Sequence, residues 1–175
     1  KYEYLANLPE SKDINEAVNN AMLLIEKDHS DLAGILPKNY QDFGSDLLKN
    51  LIRIFNTESI KSIPGDAFGR IYEYFLMKFS MSGAGAQEGG EFFTPPSLVQ
   101  LIVNFIEPKH GIVHDPACGS GGMFIQTAQF INDKVKKSIN ESISVYGTEL
   151  KTNNTKLAKM NLAIHGLEGK IIEDN

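Results

Sequence analysis

Residues 115–122 read Asp-Pro-Ala-Cys-Gly-Ser-Gly-Gly, between the apolar pair Ile112-Val113 and a helix-like run from Met123 to Ala128. A strand that ends in a carboxylate, turns on glycines and enters a helix is where α/β sheets bind adenosine-bearing cofactors. The chain must reverse sharply there and let a ligand come close to the backbone, so Gly119, Gly121 and Gly122 are expected to supply freedom that a Cβ would deny. The first turn of the following helix leaves unpaired N–H donors and a partial positive charge, suited to a phosphate or a ligand carboxylate. Asp115 shifts that choice: a carboxylate beside the turn repels a pyrophosphate but suits the amino group and sulfonium of S-adenosyl-L-methionine.

A second strand-like run, Ser144-Val145-Tyr146-Gly147-Thr148-Glu149, follows one intervening helix and also ends in an acid. In doubly wound sheets the carboxylate closing the second strand accepts hydrogen bonds from the ribose hydroxyls of the cofactor, which makes Glu149 the expected ribose ligand. Upstream, Glu91-Phe92-Phe93-Thr94-Pro95-Pro96 precedes an apolar run from Ser97 to Ile106. Pro95 drives Thr94 to extended geometry and Pro96 suits a first helical turn, so Thr94 or a neighbour opens a helix. A hydroxyl and free amides there suit a carboxylate, whereas an N-cap with two aromatic core anchors is the plainer alternative and is slightly favoured by local physics alone.

These blocks, together with Leu157-Ala-Lys-Met-Asn-Leu-Ala-Ile-His-Gly166, resemble in order and spacing the modification subunits of type I restriction systems, which are N6-adenine DNA methyltransferases. The helical segment before residue 90 also looks like that family's N-terminal domain. The resemblance implies that S-adenosyl-L-methionine is held by Glu91, Phe92, Phe93, Thr94, Pro95 and Pro96, by Asp115, Pro116, Ala117, Gly119, Ser120, Gly121 and Gly122, and by Glu149. It places Asp174 or Asn175, at the end of a third strand, near the cofactor adenine. It implies a cytoplasmic complex on DNA with a specificity subunit and a restriction subunit, two modification subunits serving each specificity subunit. The family's Asn-Pro-Pro-aromatic tetrapeptide, which holds the target adenine, does not occur in these 175 residues, so no catalytic residue is assigned. The only Pro-Pro pair is Pro95-Pro96. The chain, starting at Lys1 and stopping at Asn175, is therefore expected to be a fragment holding the cofactor half, with an unpaired sheet edge that favours oligomerisation or marginal stability.

The expected organisation is α/β: an N-terminal helical bundle over 1–82, a glycine-rich linker over 83–90, and part of a Rossmann-like S-adenosylmethionine-dependent methyltransferase domain over 91–175. Helical stripes run through Ile14, Ala17, Val18, Ala21, Met22 and Ile25, opened by an Asp13/Glu16 cap, then through Phe43, Leu47, Leu48, Leu51, Ile52 and Phe55. A third comprises Phe68, Ile71, Tyr72, Phe75, Leu76 and Phe79, and all three read as bundle core, with a partner interface as the alternative. From residue 91 helix and strand signals alternate, with strands centred near Val113, Val145 and Ile171, as in a parallel sheet wrapped by helices.

Composition narrows the function classes. A hydrophobic content of 42% builds a core, and no apolar run approaches the ~20 residues that span a membrane. Cys118, the one cysteine, forms no internal disulfide and has no histidine beside it in a catalytic motif, and four scattered histidines show no metal-ligand spacing. Seventeen basic against twenty-two acidic side chains leave a net charge of −5, which argues against this chain gripping DNA alone; Lys134, Lys136 and Lys137 read as a helix end. A nicotinamide-dependent oxidoreductase uses similar logic, but here an aspartate precedes the glycines, and Glu149 lies 34 residues past Asp115 instead of ~20 past the glycines. A non-catalytic docking module with a vestigial cofactor site is the rival from another class.

Overall fold

A computed structural model describes residues 2–62, 66–81, 94–134 and 138–174, which fall into two compact units, 1–65 and 66–175. The first is helical: α1 (Tyr2–Ala6), α2 (Ile14–Asp28), α3 (Ser45–Phe55) and α4 (Glu58–Lys61). Asp13 caps α2 as its sequence suggests, accepting hydrogen bonds from the amides of Asn15 at 2.8 Å and Glu16 at 3.5 Å. The core is small. Ile14 and Val18 of α2 meet Leu48 and Ile52 of α3, with Leu5, Leu8, Met22 and Tyr40 partly buried against them.

The buried faces here are narrower than the apolar stripes. Ile25, Phe43, Leu47, Leu51 and Phe55 are all exposed, so the expectation that each whole stripe is core holds only for its centre. The physical reason is that two helices meeting along one seam bury positions four apart, while the flanks of a wide stripe need a further layer to cover them. Polar residues take part in the burial instead: Asn15 donates from Nδ2 to the carbonyls of Tyr40 at 2.7 Å and Phe43 at 2.8 Å, and its Oδ1 accepts from Ser45 Oγ at 2.7 Å.

The second unit contains α5 (Asp66–Met81), α6 (Pro96–Ile106), β1 (Gly111–Asp115), α7 (Gly122–Lys134), α8 (Ile139–Ser142), β2 (Ile143–Glu149), α9 (Thr152–Ile164) and β3 (Gly169–Glu173). Among the described residues the sheet is parallel in the order β1-β2-β3, pairing Asp115 with Gly147 and Glu149 with Glu173. The registers therefore bring the C-terminal ends of all three strands to one edge, where open α/β sheets hold ligands. Ile143, Val145 and Gly147 of β2 are buried while Ser144 and Tyr146 are exposed, so alternation puts one face against the core. That core joins Val99 and Val103 of α6, Phe124, Ile125, Ala128 and Ile131 of α7, Ala158 and Leu162 of α9, and Ile171 of β3.

The helix α5 groups with the sheet and not with the N-terminal helices, although its apolar stripe reads as bundle core. A Cβ built on Gly69 would lie 2.3 Å from Cε1 of His165, just past α9, so the bare glycine backbone lets the two elements close together. Phe68, Phe75 and Phe79 of the same stripe stay exposed. The expected linker over 83–90 lies outside the described residues.

Candidate functional site

At the end of β1 the half-buried Asp115 turns its Oδ1 back to accept a hydrogen bond from the amide of Ala117 at 3.0 Å. Pro116 and Ala117 form the exposed crest of the turn, and Cys118 descends into the core, its N–H donating to the carbonyl of Thr148 at 2.9 Å. The descent needs Gly147: a Cβ there would sit 2.9 Å from Cys118 Sγ and 2.7 Å from Cδ1 of Ile171. A glycine inside a strand commonly marks such a close approach. Burial, with the charges of Asp115 and Glu149 adding to it, pushes the Cys118 thiol up to about 12, so it stays protonated at neutral pH.

The turn then tightens on Gly119 and Gly121, at φ 54° and 81°, where L side chains are strained. Gly122 takes no such conformation; it opens α7, and a Cβ there would meet open space. Of the three glycines expected to supply backbone freedom, two do so by a positive φ, while Gly122 leaves bare backbone at the cavity on the helix side of the turn. Gly121 also has α9 against it, with Cα and Cβ of Ala158 each 3.6 Å from where its Cβ would lie.

Glu149 is the node that joins the strands to this turn. Its Oε2 accepts from the amide of Gly119 at 3.0 Å, and its Oε1 from the amide of Lys151 at 2.9 Å and Nδ2 of Asn154 at 3.2 Å. Three of roughly four carboxylate acceptor positions are used, which leaves about one on Oε2 for a ligand hydroxyl. Asp115 keeps its Oδ2 without a hydrogen bond among the described residues. Two carboxylates thus flank a turn whose backbone is fixed from several directions.

On the helix side of the turn lies a cavity of about 220 Å³. Thr94, Pro96 and Val99 line it from the start of α6, Ser120, Gly122 and Gln126 from the turn and α7, Asn161 from α9, and Arg70, Glu73, Tyr74, Leu76 and Met77 from α5. The motifs at 94–96 and 115–122, separate in sequence, meet here. Thr94 does not act as the N-cap of α6: Pro95 occupies that position without a side-chain bond, and its carbonyl accepts from the amides of Leu98 and Val99. The contribution of α5 was not legible from its apolar spacing. Pro116, Ala117, Gly119 and Gly121 do not line the cavity, and neither do Asp115 and Glu149, which bracket the turn from the sheet edge. Glu91, Phe92, Phe93 and Asn175 lie outside the described residues. Asp174 is exposed and donates its amide to the Glu149 carbonyl at 3.1 Å. Among the described residues no cluster of histidine, cysteine and carboxylate side chains has the makings of a metal site, and no helix is long and apolar enough to cross a membrane.

Comparison with known proteins gives one consistent result. The N-6 DNA Methylase family model matches residues 64–175, a span that includes the whole second unit, 66–175. The type I restriction enzyme HindI methylase subunit of Haemophilus influenzae is 38% identical over 166 residues, covering 89% of this chain and 37% of the relative. The MjaIX methylase subunit of Methanocaldococcus jannaschii is 37% identical over 180 residues, covering 100% of this chain and 32% of the relative. The chain thus spans about a third of the length of these relatives. Among solved structures, the methyltransferase subunit of a type I restriction-modification system from Streptococcus thermophilus aligns with 99% of this chain and 39% of its own at TM-score 0.73; at 16% identity this shows the fold alone, part of a Rossmann-like one. With the turn, its paired carboxylates and the match over 64–175 in hand, the chain belongs to the N-6 DNA methylase family.

Proposed function

We propose that the chain holds S-adenosyl-L-methionine for an adenine-N6 DNA methyltransferase, the methylation subunit of a type I restriction-modification complex. The observation that carries this reading is the convergence of Asp115 and Glu149 on one glycine turn, with Glu149 bonded to the Gly119 amide. The residues fit the cofactor. Glu149 keeps an acceptor for a ribose hydroxyl, Asp115 offers a free carboxylate oxygen to a cationic group, and Gly122 lets a ligand approach bare backbone at the cavity. Thr94, Ser120 and the first turns of α6 and α7 border the cavity, where helix N-terminal N–H groups suit the amino-acid carboxylate. The pair of acids disfavours a pyrophosphate, and so a nicotinamide dinucleotide.

Bound there, S-adenosyl-L-methionine supplies an electrophilic sulfonium methyl for the amino nitrogen of an adenine flipped out of the duplex. The work of this chain is to fix orientation: Glu149 holds the adenosine end, while Thr94, Ser120 and the cavity hold the amino-acid end, so that alignment supplies most of the rate. Cys118, protonated and buried, takes no part. DNA contact, with a net charge of −5 on this chain, falls to a specificity subunit and to other sequence of the subunit. A restriction subunit completes the cytoplasmic complex, with two methylation subunits for each specificity subunit.

Amide resonances decide the cofactor assignment. Adding S-adenosyl-L-methionine is expected to shift Gly119, Ser120, Gly121 and Gly122, with NAD leaving them in place; shifts with NAD alone, or none with either, would refute it. Transfer of labelled methyl from the cofactor to adenine by the full-length subunit with its specificity subunit tests the substrate.

A further inference from the structure

The helix α9 carries three residues at i, i+4 and i+7, namely Asn154, Ala158 and Asn161, which share one helix face. All three are buried, at 6%, 0% and 2% exposure. Each touches a different part of the site. Asn154 donates to Oε1 of Glu149 at 3.2 Å, Ala158 lies against the bare face of Gly121, and Asn161 donates from Nδ2 to the carbonyl of Ser120 at 3.0 Å. Two buried asparagines thus tie the same helix to the carboxylate at one end of the turn and to the cavity wall at the other. A helix face whose only task is packing carries apolar groups there, since buried amides are costly unless bonded.

We infer that Asn154 and Asn161 are positioning residues that hold the two ends of the cofactor site separately. Asn154 fixes the Glu149 carboxylate for the adenosine end, and Asn161 fixes Ser120 and the adjoining amides for the amino-acid end. The inference rests on the cofactor reading above. It goes further in dividing the site by anchor, because the ties sit about two turns apart on a rigid helix and act on different atoms. Among the described residues Asn161 makes its hydrogen bond through the amide N–H, and its Oδ1 is buried with no partner. Leucine at 161 keeps the shape and removes the donor, which leaves the buried Ser120 carbonyl unpaired.

The test is calorimetry of the protein with S-adenosyl-L-methionine and with 5′-methylthioadenosine, which lacks the amino-acid end. Asn161→Leu is expected to weaken the first by about tenfold and the second by less than about twofold. Asn154→Ala is expected to weaken both by similar factors. Val103→Ala, a core truncation away from the site, serves as the destabilised control and leaves both affinities unchanged. Equal losses for both ligands in Asn161→Leu, or no loss in either variant, would overturn the inference. Hydrogen exchange of the ligand-free protein supplies an arm that needs no cofactor: Asn161→Leu should expose the amide of Gly121, next to Ser120, while that of Gly119, held by Glu149, and those of Val145 and Ile171 stay protected. Unchanged protection of the turn would overturn the inference even if the parent bound no cofactor, and that latter result would separately defeat the function proposed above.

Discussion

Each of the two units buries an asparagine that ties distant segments together, and they do so differently. Asn15 is satisfied at both ends, with two carbonyls on Nδ2 and the Ser45 hydroxyl on Oδ1. Among the described residues Asn161 uses only its donor, on Ser120, and its buried acceptor has no partner. A fully bonded buried amide is a structural staple. A half-bonded one costs stability and is retained where a backbone must be placed for another purpose. The helical unit spends its polar contacts on its own closure, and the sheet unit directs them at a turn.

The strongest way to break that contrast is at Gly147. Gly147→Val forces Cγ atoms into the space of Cys118 and Ile171 and is expected to destabilise the sheet unit by about 3 kcal/mol, with loss of cofactor binding; chemical denaturation measures it. Asn15→Leu strands two carbonyls and a hydroxyl and should destabilise the helical unit by about 2 kcal/mol, seen as faster hydrogen exchange in α2 and α3 with cofactor affinity unchanged.

Smaller effects sharpen the contrast through pH. The Cys118 thiol is raised from 9.0 to about 12 in the folded state, so the unfolded state releases its proton first as pH rises. Its contribution to stability is therefore complete below pH 9 and is lost progressively between pH 9.0 and about 12. Iodoacetamide at pH 8 should label the folded chain much more slowly than the unfolded one. In the helical unit the hydrogen bond from Lys38, at 2.6 Å, holds the Glu26 carboxyl below its usual range, aided by the Leu36 amide. That contribution is present at neutral pH and fades as acid protonates Glu26, so Glu26→Gln should flatten the acid limb of stability against pH only slightly.

The site was legible where its chemistry is local. Asp115 and the glycine turn are contiguous, and the acid closing β2 follows from strand periodicity alone, so the sheet order of carboxylates emerged from the sequence. Its ties were not legible, because they span 30 residues from Gly119 to Glu149 and 41 from Ser120 to Asn161. Asn161 is one of several polar residues in a helix of mixed composition, and nothing local distinguishes it from a surface asparagine. Gly147 did carry a signal, as a glycine within a strand. Thr94 shows the converse: local rules favoured a cap, while tertiary packing gave that position to Pro95 and brought Thr94 to the cavity. The stripes of α3 and α5 overstated burial for a related reason, since periodicity reports which face is apolar and not how much of it finds a partner.

The claim on which all of this depends is that Glu149 joins turn, strand and cofactor. Titration calorimetry of the chain with S-adenosyl-L-methionine, with NAD in parallel, tests it in the parent and in Glu149→Ala. Saturable binding of S-adenosyl-L-methionine alone, weakened by about tenfold or more in a variant that remains folded, is the expected result. Binding of NAD, or undiminished affinity for S-adenosyl-L-methionine in Glu149→Ala, would contradict it.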